Sequence, residues 1–158
     1  MPIAIRTIRA FAFAFCLTTL HAQSTPKAPT MTHATGTFEV KVLPTKNAPD
    51  PSIASYSINK TFHGDLEATS VGEMFSAGDP STGNAGYIGI ERVTGTLQGR
   101  TGTFAFMQMG IMSTGTAPQM TGNIVPGSGT GDLAGIHGTF TIIVAAGKHT
   151  YTIDYAIN

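Results

Sequence analysis

An eleven-residue sequence occurs twice in this chain, as TGTLQGRTGTF at residues 94–104 and as TGDLAGIHGTF at residues 130–140. Seven of the eleven positions are identical, and the copies begin 36 residues apart. The shared glycines, leucine and phenylalanine predict a strand that ends at the leucine, turns through Gly-x-x-Gly and resumes at Thr-Phe, because glycine adopts positive φ without steric cost. We therefore expect each copy to be a β-hairpin corner of an antiparallel meander.

The N-terminal residues 1–22 predict a secretory signal peptide. Arg6 and Arg9 precede an apolar run over residues 10–17, and a small-residue cleavage site ends at Ala22. The run is shorter than the roughly 20 residues that a membrane-spanning helix needs. We expect cleavage after Ala22, a secreted or periplasmic protein, and no membrane span in the mature chain. Residues 23–34 predict a flexible leader, and residues 35–158 a single β-barrel domain.

The charged residues are few and balanced, with nine Lys and Arg against nine Asp and Glu. We expect no nucleic acid partner, because such proteins carry a basic patch or stripe. The single cysteine, Cys16, lies in the predicted signal, so the mature domain is expected to lack disulfides. His63, His137 and His149 do not have the spacing of metal ligands. We expect no metal and no cofactor.

Alternation of apolar and polar residues predicts eight strands after the signal. These are residues 37–43, 55–66, 69–76, 87–97, 103–112, 119–125, 139–145 and 148–157. The pattern favours an all-β fold, either a sandwich or, because sequential hairpins close most simply into a ring, an eight-stranded antiparallel up-and-down barrel. An outer-membrane barrel is less well supported, since the chain has no Trp and only four Tyr with which to build aromatic girdles.

The turns also predict which residues face each other across the hairpins. In the first repeat, pairing Leu97 with Phe104 would place Glu91 opposite Gly110. In the last hairpin, pairing Ala145 with Lys148 would direct one set of side chains into the interior. That set is Phe140, Ile142, Val144, His149, Tyr151, Ile153 and Tyr155.

The strand over residues 103–112 is apolar on both faces. If Phe104 and Phe106 point inward, then Ala105, Met107 and Met109 point outward. An exported protein rarely leaves such a stripe in water. We therefore predict a subunit interface at this strand and a homo-oligomer.

Glu91 is the strongest candidate for a chemical role. It shares an inward face with Tyr87 and lies across the predicted hairpin from Phe104, Phe106 and Gln108. A carboxylate among aromatic side chains is costly unless it is hydrogen-bonded or neutral. Glu91 could therefore be an acid, a base or an anchoring group in an apolar pocket. Glu91 could also be a structural carboxylate that ties two strands together, or a residue that faces solvent.

Other side chains could complete a site around Glu91. Gln108 lies diagonally across the hairpin, and Tyr151 or Tyr155 could approach from the last strand. Glu73 presents the same choice between a chemical and a structural role with less support.

Four segments resemble the bacterial family called domain of unknown function 3224. They are Gly36-Thr37-Phe38, the run over residues 86–104, the run over residues 125–135, and His149-x-Tyr151. The resemblance covers almost all of residues 35–157. It implies a fold similar to the allene oxide cyclase and dirigent barrels, which often form dimers or trimers and enclose an apolar cavity. This chain departs from the expected pattern at Gln108, where the resemblance implies a histidine.

Three functions remain open. The first is a secreted, cofactor-independent cyclase or isomerase that acts on a hydrophobic small molecule, with Glu91 as its catalytic residue. The second is a non-catalytic carrier for an apolar ligand, and the third is an oligomeric structural or interaction protein with a filled interior. In the first two, the residues expected to bind the ligand are Tyr87, Phe104, Phe106, Gln108, Phe140, Ile142, His149, Tyr151 and Tyr155.

Overall fold

The computed structural model describes residues 30–116 and 119–158. The predicted signal peptide, residues 1–22, lies outside the described residues, as does most of the predicted leader. Across the two described ranges, no helix has both the length and the apolar character needed to cross a membrane.

Nine strands follow one another within the described ranges. They are β1 (Thr32–Pro44), β2 (Ala54–Gly64), β3 (Leu66–Asp79), β4 (Asn84–Leu97), β5 (Arg100–Met112), β6 (Gln119–Ile124), β7 (Thr130–Gly131), β8 (Ile136–Ala145) and β9 (Lys148–Ile157). Eight of them form a closed antiparallel ring in the order β1, β2, β3, β4, β5, β6, β8, β9, with β9 pairing back to β1. The two-residue β7 adds to the edge of β5. The predicted eight-stranded antiparallel barrel is therefore confirmed.

The strands form where polar and apolar residues alternate, because one face of each strand lines the barrel. Along β2, Ile58, Lys60 and Phe62 are buried whereas Asn59 and Thr61 are exposed. The last hairpin has the predicted register: Ala145 pairs with Lys148 and Ile142 with Tyr151.

The first repeat forms a hairpin, but its predicted register was wrong by four residues. Leu97 pairs with Arg100 rather than Phe104, and Glu91 with Phe106 rather than Gly110. The turn consists of only Gln98 and Gly99, whose φ values are 46° and 83°. Two positive φ values match the twist of the flanking strands, which favours so short a turn. Because four is an even number, every side chain keeps its predicted face.

The second copy is not a hairpin, which corrects the sequence prediction. Its first part, β7, pairs with Gly102 and Thr103 of the first copy. Its second part, β8, pairs with β6 and β9. Ring closure uses both edges of β8, so the segment before the turn has no free edge of β8 to pair with.

Large aliphatic side chains close one end of the barrel, where the β2–β3 and β4–β5 turns lie. Leu66, Leu97, Leu133 and Ile136 are each no more than 1% exposed. Leu97 and Leu133 hold the same position in the two copies of the repeat. The repeated sequence thus supplies matching leucines to this closed end.

The opposite end is open. Val42 and Val144 occupy inward positions of β1 and β8, yet they are 42% and 56% exposed. The prediction that Val144 lies in the interior was therefore wrong. Alternation along a strand predicts the face of a side chain but not its depth, and Val144 stands beside the last turn with little wall above it.

Candidate functional site

Aromatic side chains fill the middle of the barrel lumen. Phe106 stacks on Phe140 with ring centroids 4.3 Å apart and an interplanar angle of 8°. The Phe62 ring meets Phe140 and Tyr151 edge-on at 5.9 Å and 5.6 Å. Phe104 and Phe106 are fully buried. These separations are those of rings in direct contact, so four of the predicted ligand-binding residues, Phe104, Phe106, Phe140 and Tyr151, belong to a packed core.

Glu91 lies inside the barrel and forms an ion pair with Lys60. The Glu91 Oε1 atom is 2.5 Å from Lys60 Nζ, and the two side chains are 0% and 3% exposed. Ser70 donates its hydroxyl to Oε2 at 2.6 Å, and Gln108 donates its amide to Oε1 at 3.0 Å. Both carboxylate oxygens are therefore engaged. The geometry fits a structural anchor that links β2, β3, β4 and β5.

Sequence reasoning missed two residues of this cluster, Ser70 and Lys60, and Lys60 carries its positive charge. Its Nζ lies 5.2 Å from the centroid of Phe38 and 5.0 Å from that of Phe106, within the range of cation–π attraction. Burial lowers the pKa of Lys60 from its ordinary value, and the neighbouring Glu91 charge partly restores it. A signal was present in the sequence, because Lys60 stands between Ile58 and Phe62 at the spacing of an inward strand face.

Gln108 has an unpaired atom. Its amide nitrogen donates to Glu91, which fixes the orientation of the amide, since a carboxylate accepts but does not donate. The Gln108 oxygen is buried and has no hydrogen-bond partner among the described residues. A buried acceptor without a partner costs about 1–3 kcal/mol.

Tyr151 and Tyr155 do not approach Glu91, which corrects the prediction. The Tyr151 hydroxyl accepts from the Leu66 amide at 2.8 Å, and the Tyr155 hydroxyl donates to Gln98 Oε1 at 2.9 Å. Burial raises the pKa of both phenols. The register places Tyr151 beside Gly36 of β1, near the closed end, so both hydroxyls brace that end of the barrel.

The remaining predicted ligand-binding residues lie nearer the open end. His149 packs on Phe38 at 5.0 Å between ring centroids, and Tyr87 covers Gly110 on the neighbouring strand. Burial and the Glu91 charge raise the pKa of Tyr87. Ile142 is 9% exposed. Tyr151 is directly opposite Ile142, but its hydroxyl reaches the closed end, as does the Tyr155 hydroxyl. The nine residues therefore do not converge on one pocket.

A groove of about 790 Å³ lies on the outer wall of the barrel, across β3, β4, β5 and β6. We call it the outer groove. Its outward-facing apolar side chains are Val71, Phe75, Ile88, Ile90, Ala105, Met107 and Met109. Met107 and Met109 are 53% and 47% exposed, so the outward orientation predicted for this strand is confirmed. Sequence reasoning missed the contributions of β3 and β4, although Val71, Ile88 and Ile90 alternate with inward residues.

The outer groove carries one outward-facing charge of each sign. Glu73 accepts a hydrogen bond from the Asn47 side chain at 2.6 Å. Arg92 donates to the Thr103 hydroxyl at 2.7 Å. Thr121 and Asn123 add uncharged polar groups on β6. In the groove and in the rest of the described ranges, no three His, Cys, Asp or Glu side chains come together as a potential metal site.

Comparison with known proteins identifies the family of the chain. The family described as "Protein of unknown function (DUF3224)" matches residues 34–155. The chain is similar to a crystal structure of a DUF3224 protein of unknown function from Shewanella oneidensis MR-1, with 39% sequence identity and a TM-score of 0.74. The alignment covers 82% of this chain and 98% of the Shewanella chain. No curated protein matches the chain. The chain therefore belongs to the DUF3224 family.

Proposed function

We propose that this protein is a non-catalytic binding barrel for a small apolar molecule, and that the molecule lies in the outer groove. The volume of this groove, about 790 Å³, supports the proposal most directly. Small-molecule sites typically span roughly 300–1,000 Å³ and combine apolar walls with a few polar groups. The outer groove has both properties. Because Glu73 and Arg92 offset each other, an uncharged ligand fits it best.

This proposal moves the ligand away from the lumen, where a resemblance to allene oxide cyclase barrels would place it. Packed rings fill the middle of the lumen, and the Glu91 carboxylate already accepts from Lys60, Ser70 and Gln108. A cyclase or isomerase that used Glu91 as an acid would have to break a buried ion pair, at a cost of several kcal/mol. Binding in the outer groove leaves that pair intact.

The predicted signal peptide supports a secreted or periplasmic location for this binding. Mass spectrometry of the protein recovered from its host tests that placement. A mature chain that begins at Gln23 is expected, and a chain that retains residues 1–22 would contradict it.

Binding is tested with N-phenyl-1-naphthylamine, an uncharged probe that fluoresces in apolar surroundings. We expect saturable binding to the wild-type protein and at least about tenfold weaker binding to Ile88→Glu, a loss of about 1.4 kcal/mol. Ile143→Glu is the matched control. Ile143 is 50% exposed and Ile88 59%, but Ile143 faces outward on β8, away from the groove.

Circular dichroism must show that both variants keep the β-sheet spectrum of the wild type. Equal probe affinity in wild type and Ile88→Glu would overturn the proposed site. An equal loss in Ile143→Glu would show that the probe binds exposed apolar side chains without selection.

A further inference from the structure

The outer groove is only half of an enclosure. Its aliphatic side chains remain largely exposed: Val71 61%, Ile88 59%, Ile90 54%, Met107 53% and Met109 47%. Binding sites usually bury about 70–90% of the surface of a small ligand. Because the side chains of the groove are themselves about half exposed, the groove can cover a ligand from one side only. A second apolar wall is needed.

The apolar surface also continues past the outer groove. A smaller cavity of about 310 Å³ shares Phe75, Ile88 and Met109 with it and extends to Ile53 and Ile111, and Ile111 is 50% exposed. Contiguous apolar faces of this kind are rare on monomers and mark interaction sites. A partner can therefore contact the apolar surface beside the outer groove while it also covers the groove itself.

The charges on this face suit a second copy of the chain. Glu73 is opposite Ile90, and Arg92 is opposite Val71 on the same pair of strands, so the two charges lie diagonally across the face. In a twofold dimer the same surface meets itself. Glu73 of one copy can then approach Arg92 of the other, and the reverse contact forms by symmetry. A face with charges of one sign would repel itself.

We propose that two copies pack face to face through the outer groove and enclose the apolar ligand between them. This inference rests on the proposed function, because the ligand fills the space between the two grooves. Dimer formation and ligand binding are then coupled, and each strengthens the other by the same factor. Without ligand, the apolar side chains of the two facing grooves would border an empty space and make no contacts across it. The ligand-free dimer is therefore weaker than the dimer that holds ligand.

Sedimentation velocity of the purified protein, with and without saturating N-phenyl-1-naphthylamine, tests the coupling. We expect a monomer–dimer equilibrium whose dissociation constant falls at least about tenfold with the probe, which corresponds to about 1.4 kcal/mol. Probe fluorescence is expected to saturate at one site per dimer.

Charge variants test the pairing itself. Arg92→Glu places like charges opposite each other in both halves of the dimer and is expected to weaken it. The double variant Glu73→Arg/Arg92→Glu exchanges the two charges and is expected to restore dimerisation. Restoration by a second substitution on an exposed face is not explained by damage to the fold.

The two readouts separate the two proposals. A protein that binds the probe in an Ile88-dependent manner but stays monomeric would overturn the enclosed dimer and leave the proposed function standing. A dimer that forms in a protein that binds no probe would overturn both the enclosed ligand and the proposed function. A dimer unaffected by Arg92→Glu, or a trimer, would also overturn the face-to-face pairing.

Discussion

At the scale of single residues, the ion pair between Lys60 and Glu91 is a contact on which the stability of the interior depends. Both side chains are almost fully buried. Removing one partner of such a pair leaves an uncompensated charge and costs about 3–5 kcal/mol, whereas replacing both with apolar groups costs far less. Each charge is therefore tolerated in the interior only while the other is present to compensate it.

A double-mutant cycle tests this dependence. Lys60→Met and Glu91→Leu are each expected to lower the free energy of unfolding by about 3–5 kcal/mol. The double variant is expected to lose less than the sum of the two by at least about 2 kcal/mol, a coupling typical of contacting buried groups. Urea unfolding measures all four proteins. Additive losses would show that the two charges do not stabilise each other.

Tyrosine ionisation gives a pH prediction. Burial raises the pKa of Tyr87, Tyr151 and Tyr155. Above about pH 10 the unfolded chain therefore loses phenolic protons that the folded chain retains. Their contribution to stability is complete below that pH and is lost as the pH rises through the folded pKa values. The lowered pKa of Lys60 has the opposite effect, since this one group makes stability rise with pH between its folded and unfolded pKa values.

We therefore expect the free energy of unfolding to decrease as the pH rises above about 10. Tyr151→Phe should make this decrease shallower, because it removes one of the three phenols whose pKa is raised in the folded protein. Urea unfolding across that range measures the slope. The same slope in wild type and Tyr151→Phe would show that the raised pKa of Tyr151 does not contribute to the pH dependence of stability.

At the scale of strands and turns, sequence alternation predicted faces well and turn lengths poorly. The inward faces of β4, β5, β8 and β9 follow directly from a period of two. The Gln98–Gly99 turn could not be distinguished from a wider Gly-x-x-Gly turn, because both use glycine at positive φ. The second copy of the repeat could not be recognised as a crossing segment, since its lack of hairpin pairing follows from closure of the whole ring.

Two glycines illustrate the different demands that this fold makes on its elements. A side chain at Gly36 would overlap the His63 carbonyl and the Tyr151 ring across the sheet. A side chain at Gly99 would meet nothing within 4 Å, but the residue has φ of 83°. Gly99→Ala should therefore cost only the backbone strain of about 1–2 kcal/mol.

Gly36→Ala is expected to cost at least about 2 kcal/mol more, because strands β1 and β2 or the Tyr151 ring must move. Thermal and urea unfolding of the two variants provide the comparison. Equal losses would show that β1 can shift at Gly36 without disturbing the closed end.

At the scale of the whole molecule, the barrel has a closed end, a filled middle and an apolar outer face. The closed eight-stranded architecture and the inward position of Glu91 were predictable, because both depend on local patterns. The Lys60 partner, the exposure of Val144 and the extent of the outer groove were not. Each of these depends on how deep a side chain lies in the barrel or on which side chains of neighbouring strands come into contact, and local alternation determines neither.

Methionine methyl NMR tests most directly whether the ligand lies outside the lumen. Met107 and Met109 line the outer groove, whereas Met74 and Met120 occupy inward positions on β3 and β6, opposite Gly89 and Gly110. Single Met→Leu variants assign the ¹³C-methyl signals. Titration with N-phenyl-1-naphthylamine is expected to shift the signals of Met107 and Met109 and to leave those of Met74 and Met120 in place. Shifts at Met74 and Met120, with Met107 and Met109 unchanged, would place the ligand in the lumen and contradict the account.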